Sequence, residues 1–177
     1  MNKKYVITSI TLGAIAAVSA GLIGVTNLLT RGAIADNAKR KINSGISEIY
    51  GKSATILQEF NKKDSGLTGE YKYVENVYQI GKEDKSEIGY AFRTTGSNMY
   101  GKVSLIIGFD GDSSFLGLSI VINEQTYAST LVENYIEPLN EDKISIDDVS
   151  CGATYGAKLV RDMVNEAKNA SLELGKK

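Results

Sequence analysis

The chain has 177 residues, a formal net charge of −1, 42% hydrophobic and 23% charged residues, which suits one compact domain beside an apolar anchor and gives nucleic acid no electrostatic footprint. It contains no histidine and a single cysteine, Cys151. That excludes Ser-His-Asp and Cys-His catalysis, histidine-ligated zinc and any intrachain disulfide framework.

From Val6 to Leu29 no residue is charged. As a helix rising about 1.5 Å per residue the run spans about 36 Å, enough to cross a hydrocarbon core of about 30 Å. Gly13, Ala17 and Gly21 form one row of small residues, and Ala16, Ala20 and Gly24 a second; such rows admit a partner helix but are also common in single spans. Val18-Ser19-Ala20 has the small-residue character of a signal-peptidase site, yet the apolar run continues past it, so an uncleaved anchor over residues 1–30 is the better reading. Lys3 and Lys4 flank it on one side and Arg31, Lys39, Arg40 and Lys41 on the other, a near draw for the positive-inside rule.

Ile34, Ala38, Ile42, Ile46 and Ile49 recur every three or four residues, the period of an amphipathic helix, and residues 31–60 read as a helical stalk. Residues 61–69 (NKKDSGLTG) are polar and turn-forming. Strand-like runs follow at 71–80, 88–94, 102–109 and 115–122, each rich in β-branched or aromatic residues. The turn residues Asp110 to Ser114 join the last two into an antiparallel hairpin. They also begin like a calcium loop, but Phe115 and Val121 stand where the glycine and bidentate glutamate are required. Thr130 to Ile136 suits a short helix stopping before Pro138. Tyr155 to Leu174 carries Leu159, Val160, Met163, Val164 and Ala167 on one helical face. Strands precede the final helix, so the class is α+β: a transmembrane helix and amphipathic stalk, then an antiparallel-sheet domain over residues 61–177 ending in a helix.

Asp147 to Thr154 (DDVSCGAT) places a hydroxyl, small residues and free N–H groups at the start of that helix, where the positive end of the dipole favours phosphate. A threonine in this position is also an ordinary N-cap. Cys151 is either a thiol acidified by the helix N-terminus or a small packed residue. Among the ten tyrosines, Tyr90, Tyr100 and Tyr155 are the ones placed to touch an aromatic ligand, and no spacing selects among them.

Asp148-x-x-Cys151-Gly152-Ala153-Thr154 resembles the Asp-x-x-Ser/Thr-Gly-Ala-Thr flavinylation motif of FMN-binding domains, found in the G subunit of the Rnf electron-transport complex and the C subunit of the sodium-pumping NADH:quinone reductase. Gly89-Tyr90-x-Phe92 with Tyr100-Gly101-x-Val103, and Gly108-Phe109-Asp110-x-Asp112 with Gly117-Leu118-x-Ile120, resemble the family's Gly-Tyr stretches and its hairpin. The apolar span followed by Asn27, Thr30 and Ile34 is similar to the start of the G subunit of the Rnf complex. Two departures stand out: Cys151 replaces Ser or Thr, and Gln125-Thr126-Tyr127-Ala128 occupies the place of a Glu-Thr-Pro-Gly-Leu-Gly loop.

The resemblance implies a covalent FMN joined through its phosphate to Thr154 by a flavin transferase that takes it from FAD. Asp148 then belongs to the recognised sequence, with Cys151, Gly152, Ala153 and Tyr155 beside the cofactor. It further implies a single-pass protein of the cell membrane with its C-terminal domain extracytoplasmic. Such a chain is an electron-transfer subunit among other subunits of an ion-translocating complex rather than a catalyst alone. A stand-alone extracytoplasmic flavoprotein and a flavin-free surface binding module are the alternatives.

Overall fold

The computed structural model describes residues 3–82 and 86–175, apart from the side chains of residues 3–6, 8, 28 and 31–35. The side chain of Ile34, the first position of the expected amphipathic face, therefore lies outside the described residues. The chain divides into two compact units, residues 1–40 and 41–177.

Helix α1 covers Lys3–Tyr50. Within it Ser9–Asn27 is long and apolar enough to cross a membrane, consistent with a single-pass membrane protein. Ile10, Leu12, Ile15, Val18, Leu22 and Ile23 are exposed. The hydroxyls of Thr11, Thr26 and Thr30 donate to the carbonyls of Ile7, Leu22 and Thr26 at 3.0, 2.8 and 2.9 Å. Each polar group is thus satisfied inside the helix and needs no water, as a lipid environment requires.

In the second unit, five strands form one sheet in sequential order: β1 (Thr55–Asn61), β2 (Val74–Gly81), β3 (Glu87–Asn98), β4 (Gly101–Asp110) and β5 (Phe115–Asn123). Every neighbouring pair is antiparallel. The expected α+β arrangement is what the chain adopts.

Both faces of the sheet are covered, which is why β4 is buried from Val103 to Phe109 without interruption. Val103, Leu105, Ile107 and Phe109 point to one side and Ile106 to the other, following the two-residue period of a strand. On the larger face they meet Ala157, Val160, Met163, Val164 and Ala167 of α4 (Thr154–Leu174). On the smaller face Ile42 and Ile46, from the end of α1, pack with Tyr78, Ile80, Ala91, Ile106 and Val121. Gly108 permits this approach, since a Cβ there would stand 2.5 Å from Ile49 Cγ2. The Tyr50 hydroxyl accepts the Phe109 N–H at 3.0 Å and lies 2.8 Å from the Tyr90 carbonyl oxygen, closing the end of the helix onto the sheet.

Three expectations differ from the structure. The segment assigned to a helical stalk, 31–60, leaves helix at Tyr50, where Gly51 takes a φ of +90°, and residues 55–61 become the edge strand β1. The amphipathic face of its helical part buries Ile42 and Ile46 against the sheet. Strand β2 begins at Val74 rather than Tyr71, because the N–H groups of Tyr73 and Val74 donate to the Glu166 carboxylate on α4. The short helix continues through Pro138: α2 (Ala128–Leu131) passes into a π turn (Val132–Ile136) and then α3 (Glu137–Asn140). The Glu137 N–H reaches back to the Val132 carbonyl, and this wider turn accommodates Pro138, which has no N–H to continue the ladder.

The β4–β5 turn is an ordinary hairpin. Asp110 Oδ1 accepts the N–H groups of Asp112 and Ser114 at 3.0 and 2.8 Å, which occupies the leading oxygen of the supposed calcium loop.

Candidate functional site

The segment before α4 is a chain of tight turns. Asp148 N–H donates to the Ser145 carbonyl at 3.0 Å, and Ser145 N–H returns to Asp148 Oδ2 at 3.0 Å. Asn134 Nδ2 donates to the Cys151 carbonyl at 3.1 Å. Gly152 then takes a φ of +84°, which an L side chain adopts only under strain. That reversal aims the chain into α4.

Ala153, not Thr154, is the N-cap residue, and no side chain caps the helix. Thr154 is the first helical residue, half-buried, and its hydroxyl makes no hydrogen bond among the described residues. The ordinary capping role for this threonine is therefore absent. The helix ladder begins with Ala157 N–H donating to the Ala153 carbonyl at 3.0 Å, so the N–H groups of Thr154, Tyr155 and Gly156 precede the first intrahelical bond.

These residues form one wall of a cavity of about 330 Å³, within the size range of small-molecule sites. Gly152 to Gly156 make that wall, Gln125 and Leu131 stand among the other lining residues, and Tyr100, Tyr127 and Tyr155 supply the aromatic surface. The Tyr100 ring lies 5.5 Å from Tyr155 and 6.0 Å from Tyr127, centroid to centroid. Among the described residues no Asp, Glu, Lys or Arg lines the cavity. The polarity of these described lining residues is that of the helix N-terminus, hydroxyls and an amide, which suits an anion held by N–H groups next to a planar apolar ring.

Three side-chain amides frame the cavity. Asn98 Oδ1 accepts the Tyr100 N–H at 2.8 Å and Gln125 Nε2 at 3.1 Å, while Asn98 Nδ2 donates to the Tyr155 carbonyl at 3.1 Å. Asn123 Oδ1 accepts the Gln125 N–H at 3.2 Å and its Nδ2 donates to the Ala128 carbonyl at 3.3 Å. Gln125 Nε2 also donates to the Gly101 carbonyl. The network ties the ends of β3 and β5 to the start of α4.

The residues selected from sequence separate here. Gly152, Ala153, Thr154 and Tyr155 line the cavity; Cys151 and Asp148 do not. Cys151 is half-buried against the main core, and Asp148 is exposed with its carboxylate occupied by the local turn. Of the three tyrosines singled out, Tyr100 and Tyr155 are in the lining, whereas Tyr90 packs against the main core. Gln125, Tyr127 and Leu131 were not selected. The signal that locates the first two is the Gln125–Ala128 segment standing in place of the family's loop, although a buried glutamine has no motif of its own.

Residues 1–49 match the family model described as the RnfG N-terminal region. No curated protein matches the chain. The chain resembles the G subunit of the Rnf complex, and the match points to that component of an Rnf-type assembly. It ends before β1, so it covers none of the cavity residues.

Proposed function

We propose that the Thr154 hydroxyl carries FMN as a phosphoester and that the chain is the membrane-anchored, electron-carrying G subunit of an Rnf-type complex. The observation that carries this reading is an uncapped threonine hydroxyl at the N-terminus of α4, opening into a tyrosine-lined cavity. A phosphate on Thr154 would meet the leading N–H groups and the positive end of the helix dipole. Gly156 lets α4 approach the opposite cavity wall closely: a Cβ there would stand 3.1 Å from Leu131 Cδ2 and 3.3 Å from Gln125 Oε1. Tyr100, Tyr127 and Tyr155 offer flat apolar surface to a ring.

Among the described residues the cavity lining holds no carboxylate or amine, and the chain has no histidine, so the usual general bases are missing from it. The chain is thus the substrate of its own maturation. A flavin transferase supplies the base, the Thr154 Oγ–P bond forms as the pyrophosphate bond of FAD breaks, and AMP leaves. Asp148, exposed beside the modification segment, is accessible to such an enzyme.

Bound flavin supplies electron transfer; the protein holds it and adjusts its potential. The anchor over residues 1–30 and the helix that follows keep the domain, residues 61–177 in the proposed division, at the membrane. The domain lies on the extracytoplasmic side, where a covalent tether prevents loss of the cofactor, and the remaining subunits of the complex complete the electron path.

The test is in-gel flavin fluorescence after SDS denaturation, with wild type and Thr154→Ala each co-expressed with a flavin transferase. A fluorescent wild-type band that vanishes in the variant is the expected result. A dark wild-type band beside a working positive control overturns the covalent reading and leaves a flavin-free binding module.

A further inference from the structure

Resting on the reading of Thr154 as a flavin tether, we propose that Gln125 is the positioning residue of the site: its Oε1 accepts a hydrogen bond from a hydroxyl of the ribityl chain and so holds the ring against the tyrosines.

The orientation of the Gln125 amide follows from its neighbours. The Gly101 carbonyl can only accept, so the atom facing it is the nitrogen. The same nitrogen donates to Asn98 Oδ1 at 3.1 Å, and that oxygen is identified in turn by the Tyr100 N–H it accepts at 2.8 Å. Asn98 is fixed at its other end by Nδ2 donating to the Tyr155 carbonyl at 3.1 Å. Each amide is thereby locked by backbone groups that cannot change role. What remains is Gln125 Oε1, which accepts no hydrogen bond among the described residues although the side chain is only 6% exposed. The oxygen is not among the buried atoms left without a partner, so it is open to the cavity that Gln125 lines and can accept from a group bound there.

Its place identifies the donor. A Cβ on Gly156 would lie 3.3 Å from Gln125 Oε1, and Gly156 is two residues, roughly 3 Å of helix rise, beyond Thr154. Residues two apart face opposite sides of a helix, so it is the shared cavity, lined by both Thr154 and Gln125, that brings the oxygen within reach of a group on the tether. The part of a phosphate-tethered flavin nearest its point of attachment is the ribityl chain, whose hydroxyls are donors; the ring begins only beyond that chain. A hydroxyl hydrogen-bonded to Gln125 stops the chain from swinging and leaves the ring beside Tyr100, Tyr127 and Tyr155.

The full-length protein loaded by a flavin transferase tests this. Flavin fluorescence of folded protein is divided by that of the same sample in SDS, which makes the ratio independent of loading, and anisotropy is read alongside. A ring held on tyrosines is dim when folded, because a stacked tyrosine donates an electron to the excited flavin. Gln125→Leu is expected to raise the ratio several-fold and lower the anisotropy; Gln125→Met, unbranched and of similar volume, serves if the leucine variant does not fold. Gln125→Glu keeps the acceptor but replaces the Nε2 donor, so it reproduces the network only when protonated. Its ratio should match wild type at acid pH and approach the leucine variant as pH rises. A leucine or methionine variant as dim and as anisotropic as wild type overturns the proposal. A glutamate variant that stays bright at every pH also overturns it, by reducing Gln125 to a structural part. Wild type without SDS-stable fluorescence is a different result: the covalent reading of Thr154 then falls, and this proposal with it.

Discussion

The two ends of α4 use their polar groups in opposite ways. Toward the C-terminus two carboxylates hold the chain: Glu166 takes the N–H groups of Tyr73 and Val74, and Glu173 takes the Thr68 N–H and hydroxyl at 2.6 and 2.7 Å and the Tyr71 hydroxyl at 2.6 Å. At the N-terminus the leading N–H groups, the Thr154 hydroxyl and the nearby Gln125 Oε1 make no hydrogen bond among the described residues. Among the described residues the buried side-chain atoms left without a hydrogen-bond partner are Arg93 Nε and Thr94 Oγ1 on β3, so the unused groups at this end of α4 are ones the cavity leaves open, where a ligand can reach them. On the proposed reading, one helix serves as a clamp at one end and a site at the other.

Substitutions should sort along this division, from all-or-none to slight. Thr154→Ala is expected to abolish SDS-stable flavin fluorescence while changing the unfolding free energy by no more than about 0.5 kcal/mol, since no hydrogen bond is lost; loss of stability on that scale or larger in apo protein would mean the hydroxyl serves the fold after all. Glu166→Ala should do the reverse. It leaves the Tyr73 and Val74 N–H groups without their acceptor at a cost of about 1–3 kcal/mol by denaturant titration, with fluorescence per folded molecule retained.

Gly152→Ala falls between the two classes. Forcing an L residue to a φ of +84° costs roughly 1–2 kcal/mol, and its Cβ would stand 3.3 Å from Thr130 Cγ2. Both stability and flavin loading should decline, loading more, because the same turn aims Thr154; equal loading would show that the transferase tolerates a displaced hydroxyl.

The smallest effect is one of pH. Hydrogen bonds from Tyr71 first, then from Thr68, hold the Glu173 carboxyl down from 4.5 to about 2. Burial first, then Glu173, pushes the Tyr71 hydroxyl up from 10.0 to about 12. A depressed carboxyl contributes stability that is whole above its unfolded value and is lost as pH falls through the folded one. For Tyr71 the raised value gives the mirror case: the contribution is whole below 10.0 and lost as pH rises through about 12. The loop at residues 68–71 should therefore be best held between about pH 4.5 and 10. Hydrogen exchange at the Thr68 and Gly69 amides follows this directly, and Glu173→Gln should flatten the acid limb; an unchanged acid limb would remove Glu173 from the clamp.

The parts of the fold that sequence reveals are those with a strong local signal. The span at residues 6–29 announces itself by the absence of charge, β3 to β5 by alternating β-branched and aromatic residues between turns, and α4 by a single apolar face. Strand β1 was hidden because an edge strand with two Glu or Gln positions has little apolar alternation. The start of β2 was blurred because Tyr71 and Tyr73 are good strand residues whose neighbourhood is claimed instead by carboxylates about a hundred positions away.

For the site, the segment Asp148 to Thr154 and its position at the start of α4 could be read directly, because glycine, small residues and a hydroxyl before an amphipathic run form a local pattern. Local order cannot say that Ala153 takes the cap and leaves the Thr154 hydroxyl unused, that Cys151 turns to the core, or that Gln125 meets Gly156. Those outcomes depend on β3, β5 and α4 converging at one end of the sheet. Which polar atom is left without a partner is decided only when all the others have found theirs.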